Sequence, residues 1–109
     1  MLTQAETDCL RAVNQCAAAC LQCVVGCLDE IEVRAMTRCI TLNLECADLC
    51  RLAATSIARN SEHLRAILLL CATACDSCFN ECSKHDMTHC QHGAKACKHG
   101  AEACRALAH

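Results

Sequence analysis

The sequence predicts an all-α protein, an antiparallel up-down-up-down four-helix bundle with a cysteine-lined core. Its 109 residues include no proline, three glycines and nineteen alanines, a composition that favours long helices. Apolar residues recur at steps of three and four, which is the helical period. Fifteen cysteines follow the same period, and a single Phe is the sole aromatic residue. Few large side chains therefore remain for an ordinary core, and sulfur is expected to fill it.

Four helices of similar length are predicted, over residues 3–28, 30–59, 61–83 and 86–107. The pattern is interrupted at Asn60-Ser61 and again at Ser83-Lys84-His85-Asp86, so the predicted connections are only one or two residues long. Short connections force consecutive helices to be antiparallel neighbours. We therefore expect one domain over residues 1–109.

Capping residues mark where the predicted helices begin. Thr3 with Glu6 matches a capping box for helix 1, and Asp29 with Glu32 offers the same arrangement for helix 2. Asp86 is a candidate N-cap for the last helix.

The cysteines lie on one face of each helix, at the positions that Leu and Ile occupy in an ordinary bundle. In helix 1 they are separated by 7, 4, 3 and 4 residues, and each step returns to the same face. One or two such residues would be core filler, but fifteen indicate metal ligation. The predicted ligands are Cys9, Cys16, Cys20, Cys23, Cys27, Cys39, Cys46, Cys50, Cys71, Cys75, Cys78, Cys82, Cys90, Cys97 and Cys104.

Charge indicates which metal such a core takes. Fifteen thiolates cannot be buried unless their charge is neutralised. Cu(I) is soft, prefers thiolates and accepts two or three sulfurs, and about one Cu(I) per cysteine would bring the core near neutrality. Zinc and iron–sulfur sites use four or fewer cysteines each, usually on turns. The pattern favours storage of many Cu(I) ions.

Two alternatives stay open from the residues alone. One is a zinc or mixed soft-metal buffer, in which His85 and His89 form a zinc site. The other is a thiol redox protein, which needs a cysteine with a strongly lowered pKa. The two Cys-x-x-Cys pairs, Cys20/Cys23 and Cys75/Cys78, lie in the middle of helices rather than at the N-termini that activate such motifs.

The two ends of the predicted tube differ in chemistry. At one end, called the mouth, helices 1 and 3 end and helices 2 and 4 begin. Thioether and imidazole groups gather there and are weaker, exchangeable ligands for Cu(I), which suits the passage of ions. The mouth residues are Cys27, Met36, Cys82, His85, Met87, His89 and Cys90. The other end is an apolar plug of Leu2, Ile57, Leu64, Ile67 and Leu107.

The charge balance, the hydropathy and the first residues of the sequence predict which partners and which compartment the protein has. Ten basic and twelve acidic residues, with no aromatic platform, predict no nucleic-acid binding. No apolar run approaches the roughly 18 residues of a membrane span, so no membrane association is expected. The first residues show no export signal, which together with the free thiols predicts a reducing cytoplasm.

The cysteine pattern resembles that of the cytosolic four-helix-bundle copper storage proteins of bacteria. The segments that carry this resemblance are Glu45-Cys46-Ala47-Asp48-Leu49-Cys50, Ala74-Cys75-Asp76-Ser77-Cys78 and Lys84-His85-Asp86-Met87-Thr88-His89-Cys90-Gln91. The resemblance implies many Cu(I) ions in each bundle, association into homotetramers, ions entering at one end and no catalytic activity. It also suggests a copper chaperone or exporter as partner.

The sequence departs from the family pattern at four positions on the predicted cysteine face. Val13, Leu68, Gly93 and Gly100 stand where relatives often carry Cys, which implies a smaller capacity. His92 and His99 precede the two glycines and are predicted to face outward by helical angle. Asn43 lies on the cysteine face of helix 2, as a weak ligand or a polar group that needs a partner.

Overall fold

The structure, a computed structural model, describes residues 1–109 and consists of four α-helices with no strand. The helices are α1 Gln4–Leu28, α2 Thr37–Ala58, α3 Leu64–Cys82 and α4 Thr88–Ala108, and a short 3-10 turn, Val33–Met36, precedes α2. Each helix packs against two neighbours in the cyclic order α1, α2, α3, α4, and the bundle measures 46 × 18 × 18 Å. The predicted cysteine-lined bundle is confirmed.

The structure confirms one predicted cap and contradicts two. Thr3 and Glu6 form the reciprocal capping box at α1. Asp29 instead ends α1, and its backbone N–H bonds back to carbonyls of the last turn. Glu32 precedes the 3-10 turn and makes no side-chain cap. Asp86 is likewise not the cap of α4, which begins after Met87 without a side-chain cap.

The connections are longer than the one or two residues predicted, covering residues 29–36, 59–63 and 83–87. Between α1 and α2 the extra length forms the 3-10 turn, which buries Met36 to 1% exposure. Burial of one large apolar side chain outweighs the weak capping preference at Asp29. After α2, Asn60 adopts a left-handed conformation with φ 55°, which Asn tolerates better than most residues at a helix end.

One helix differs from the expectation that no segment could span a membrane. By length and composition alone α1 could cross a membrane, because its most apolar 18-residue stretch has a mean hydropathy of 1.2. Half of that stretch is buried inside the bundle. A single helix of this kind is weak evidence for a span, because the core helix of a bundle has the same composition.

Small residues allow the four helices to approach closely around the sulfurs. Ala47, Ala53 and Ala72 are fully buried beside the cysteines. The four positions at which the sequence departs from the expected cysteine pattern all face the core, because each is buried: Val13, Leu68, Gly93 and Gly100. At the far end Ile57 is fully buried, and the other predicted plug residues pack against the core: Leu2, Leu64, Ile67 and Leu107.

Candidate metal centre

All fifteen cysteines are free and point into the core, and none is more than 1% exposed. Neighbouring sulfurs lie 3.7–4.0 Å apart, as in Cys46–Cys75 and Cys16–Cys20. A disulfide needs about 2.05 Å, so these are separate thiols. A metal–thiolate bond is about 2.3 Å long, and two such bonds span up to about 4.6 Å. Adjacent sulfurs are therefore spaced to share one soft ion.

Cysteines four residues apart on one helix bring their sulfurs close together. On α1 the sulfurs of Cys23 and Cys27 are 3.9 Å apart, and on α3 those of Cys78 and Cys82 are also 3.9 Å apart. Regular helix geometry places residues four apart above one another. Helices α1, α2 and α3 thus contribute pairs of sulfurs, the pair on α2 being Cys46 and Cys50 at 4.0 Å, and the facing helices supply further sulfurs.

Three groups of four sulfurs are compact enough to hold an ion, with every sulfur within 4.8 Å of the others. Each group draws on three helices. The group nearest the mouth, called the mouth group, is Cys23, Cys27, Cys39 and Cys90. The two central groups are Cys16, Cys20, Cys46, Cys97 and Cys16, Cys46, Cys50, Cys75.

The remaining cysteines extend these groups along the axis. Cys71 lies 3.7 Å from Cys50, toward the plug end. Cys82 lies 3.9 Å from Cys39, toward the mouth. The sulfurs therefore form a nearly continuous column rather than isolated sites. Cys9 and Cys104 are buried at the plug end of the same column.

The thiols share protons by hydrogen bonding to one another. The pKa of Cys16 is lowered to about 2 by its hydrogen bond with Cys20, with further effects from Cys46, Cys50 and Cys75. The pKa of Cys20 is raised by the same bond, and burial raises it further. One thiolate is thus stabilised at the expense of its neighbours. Complete deprotonation of the column requires cations in place of the protons.

His89 is the imidazole that reaches the sulfurs. Its Nδ1 lies 3.5 Å from the Sγ atoms of both Cys23 and Cys90. Its Nε2 lies 3.2 Å from Oε1 of Glu30. The side chain is 23% exposed, so it contacts the mouth group on one side and solvent on the other.

His85 has a different environment. Its Nε2 is 2.8 Å from Oε2 of Glu81, and it lies in the connection before α4 rather than on the helix. The two imidazoles are therefore held by separate carboxylates, and they do not lie on one helix. Met36 is buried at the start of α2, while Met87 is partly buried against the core.

Glu81 is a buried carboxylate that the sequence analysis missed. Its side chain is 8% exposed and is surrounded by cations: Arg38 and Lys84 each lie 3.4 Å from Oε1. The hydrogen bond with His85, followed by that with Lys84, lowers the pKa of Glu81 against the opposing effect of burial. The i, i+4 spacing of Glu81 and His85 was a usable signal. The pairing of Glu30 with His89 left no such signal in the sequence, because 59 residues separate the two.

Asn43 is fully buried and donates hydrogen bonds with its amide nitrogen. Its Nδ2 lies 2.8 Å from the Cys39 carbonyl oxygen and 3.3 Å from the Cys82 sulfur. Its Oδ1 has no partner. Asn43 therefore finds the predicted hydrogen-bond partners for its amide N–H groups but not for its amide oxygen. His92 and His99 are exposed, as expected.

The fold and the site together define a class: a four-helix bundle that binds metal ions through a column of buried thiols. Comparison with known proteins is more specific. A family model described as copper storage protein matches residues 2–109. The chain belongs to the copper storage protein family.

Solved structures of relatives overlap nearly the whole chain. The Cu(I)-bound copper storage protein BsCsp3 is 42% identical, with a TM-score of 0.93, and the match covers 97% of this chain and 100% of that one. A cytosolic copper storage protein from Streptomyces lividans, loaded with five coppers, is 35% identical with a TM-score of 0.93, covering 95% and 92%. The cysteine-rich protein YhjQ of Bacillus subtilis is 41% identical over 81% of this chain and 75% of its own length.

Proposed function

We propose that this protein is a cytoplasmic, non-catalytic store that holds many Cu(I) ions per chain within one domain, residues 1–109. The observation that carries the proposal is the column of fifteen free, buried thiols, in which many neighbouring sulfurs lie 3.7–4.0 Å apart. Each Cu(I) that replaces a thiol proton leaves the net charge of the core unchanged. If a divalent ion replaced each proton instead, the core would gain one positive charge per ion.

The proposed ligands are the fifteen cysteines together with His85, His89, Met36 and Met87 at the mouth. Thiolates hold ions tightly in the column, and the imidazole and thioether groups exchange them more readily. His89 has the strongest support of the four, because its Nδ1 is 3.5 Å from two sulfurs. The other three are proposed from their place at the mouth.

A titration of the reduced protein with Cu(I), against a strong competing chelator, tests the proposal. We expect about ten to fifteen tightly bound ions per chain, the number set by thiolate neutralisation. Saturation at one or two ions would overturn the proposal. Zn(II) added in equal amount should be displaced by Cu(I); zinc that stays in the core would favour the zinc alternative.

Alkylation of the metal-free protein distinguishes storage from thiol redox chemistry. A redox enzyme needs a thiolate that has a lowered pKa and is also exposed. The pKa of Cys16 is lowered, but Cys16 is fully buried and no cysteine here exceeds 1% exposure. We expect uniformly slow reaction of all fifteen thiols with iodoacetamide in the folded protein and fast reaction in guanidinium. One thiol that reacts far faster than the rest would support the redox alternative.

We also propose association into a homotetramer and exchange of copper with a chaperone or exporter at the mouth. Exposed leucines on α2 and α3 support the first part: Leu44, Leu52 and Leu70 are 44%, 40% and 53% exposed. Light scattering measures the mass of the assembly and so tests the homotetramer. The double variant Leu52→Lys with Leu70→Lys should shift that mass toward the monomer. A wild-type mass of one chain would contradict association.

A further inference from the structure

The ring of His89 occupies space that exists because residue 26 is glycine. A Cβ at Gly26 would lie 2.5 Å from both Cγ and Cδ2 of His89 and 2.9 Å from its Nδ1. Carbon atoms in van der Waals contact are about 3.5–4.0 Å apart, so no other residue fits while the ring stays in place. Gly26 lies near the end of α1, between Cys23 and Cys27 of the mouth group.

Glu30 fixes the orientation of the same ring. A neutral imidazole carries one N–H donor and one acceptor nitrogen. With Nε2 3.2 Å from the Glu30 carboxylate, the proton belongs on Nε2 and the lone pair on Nδ1. That lone pair then faces Cys23 and Cys90, each 3.5 Å away. A carboxylate behind a histidine ligand is a common way to set ring orientation and basicity.

We infer that Gly26 and Glu30 form a seat for His89, and that this seat positions Nδ1 to pass Cu(I) between solvent and the mouth group. The inference rests on the proposed storage function and deepens it by naming two positioning residues. Glu30 acts through its hydrogen bond to the ring, and Gly26 acts by leaving room for it. Neither residue needs to bind copper itself.

The seat should control the rate of loading rather than the amount of copper stored. The column holds fifteen thiols with or without the imidazole, so its capacity is set by sulfur. His89 is partly exposed and touches the mouth group, so an incoming ion can bind the imidazole before thiolates replace its remaining ligands. Transfer by ligand exchange needs no change in the oxidation state of copper.

Stopped-flow transfer of Cu(I) from its bicinchoninate complex tests the seat, with total capacity measured on the same samples. Glu30→Ala, Gly26→Ala and His89→Ala should each slow loading by about tenfold, the lower end of the effect of losing such outer partners. Capacity should change by no more than about one ion. Glu30→Gln should restore most of the rate, because its amide oxygen still accepts from Nε2–H.

A matched control is available at an exposed pair of the same type. Glu62 lies 3.4 Å from Nε2 of His63, where the two side chains are 86% and 76% exposed. Glu62→Ala should load at the wild-type rate. Nitrogen-15 NMR of the imidazoles adds a direct readout: we expect the Nε2–H tautomer at His89 in the wild type and its loss in Glu30→Ala.

The outcomes separate the seat from the storage function. Wild-type loading rates in both Glu30→Ala and Gly26→Ala would overturn the seat, as would an unchanged rate in His89→Ala. If Gly26→Ala proves misfolded by circular dichroism, the two Glu30 variants decide alone. A wild-type capacity of one or two ions would instead refute the proposed storage function.

Discussion

The sulfurs of Cys16 and Cys46 lie 3.9 Å apart, and these two residues are common to both central sulfur groups. Cys16 comes from α1 and Cys46 from α2. One group adds Cys20 and Cys97, and the other adds Cys50 and Cys75. This pair therefore joins two metal-binding groups into one column.

Removing the shared pair should cost more copper than removing a pair at the end of the column. Cys16→Ser with Cys46→Ser leaves two sulfurs in each central group, so we expect a loss of about four ions, because hydroxyls bind Cu(I) poorly. The control, Cys9→Ser with Cys104→Ser, should lose about two. Copper analysis after gel filtration measures both. Equal losses would contradict the shared role of the pair.

Glu81→Gln should lower the free energy of unfolding in a manner that depends on pH. The folded-state pKa of Glu81 is lowered, chiefly by His85 and then by Lys84, and Arg38 also lies within ion-pair distance. A carboxyl group with a lowered pKa stabilises the fold above its unfolded pKa of about 4.3, and loses this contribution as pH falls through the folded value.

Chemical denaturation of the metal-free variant and wild type at pH 7 and pH 3 measures this effect. We expect a difference of about 1–2 kcal/mol at pH 7, in the range of hydrogen bonds to charged groups, and a smaller difference at pH 3, which lies below the unfolded pKa. Asp48→Asn, which removes an exposed ion pair with Arg51, should change stability by less than about 0.5 kcal/mol. A Glu81→Gln effect that is equal at both pH values would argue against the charge interaction.

The two core glycines should respond differently to alanine. A Cβ at Gly93 would meet its nearest neighbours at 3.7–3.8 Å, which is ordinary contact, whereas at Gly100 the nearest are at 3.4 Å. Gly93→Ala should therefore raise the stability of the metal-free protein by about 0.5–1 kcal/mol through better helix propensity. Gly100→Ala should gain less. Thermal melts of both variants check this order, and a larger gain at Gly100 would contradict it.

The metal-free protein should already be folded. Among the four helices α1 alone has a side-chain N-cap. The bundle therefore depends on packing of buried Ala, Ile and Leu and of cysteines, which are tolerable core groups. Far-UV circular dichroism of the reduced apoprotein should be strongly helical. Cu(I) should raise Tm by mass action. A coil spectrum that becomes helical with copper would show metal-driven folding instead.

The sequence was sufficient to predict the four helices and the inward column of cysteines, because both depend on a short-range period. Cys23 and Cys27 meet for the same reason that any residues four apart on a helix meet. The connection before α2 was mispredicted, since burial of Met36 is a tertiary effect that overrides the local capping signal at Asp29.

The sequence predicted which histidines lie at the mouth, but it did not predict which residues they contact. His85 and His89 were correctly placed at one end, yet their partners Glu81 and Glu30 depend on how the connections fold. The close approach of His89 to Gly26 joins residues on α1 and α4 and leaves no local trace in the sequence. Contacts between distant residues with no repeating pattern are the part that sequence periodicity does not encode.

The central claim is that the inward thiols are the copper store, and crystallography of the Cu(I)-loaded protein tests it most directly. Anomalous difference maps at the copper absorption edge locate each ion without assumption about its ligands. We expect a row of copper sites along the bundle axis, bound to the sulfurs of the mouth group and of both central groups. Copper confined to the surface histidines His92 and His99, with the core sulfurs free of metal, would contradict it.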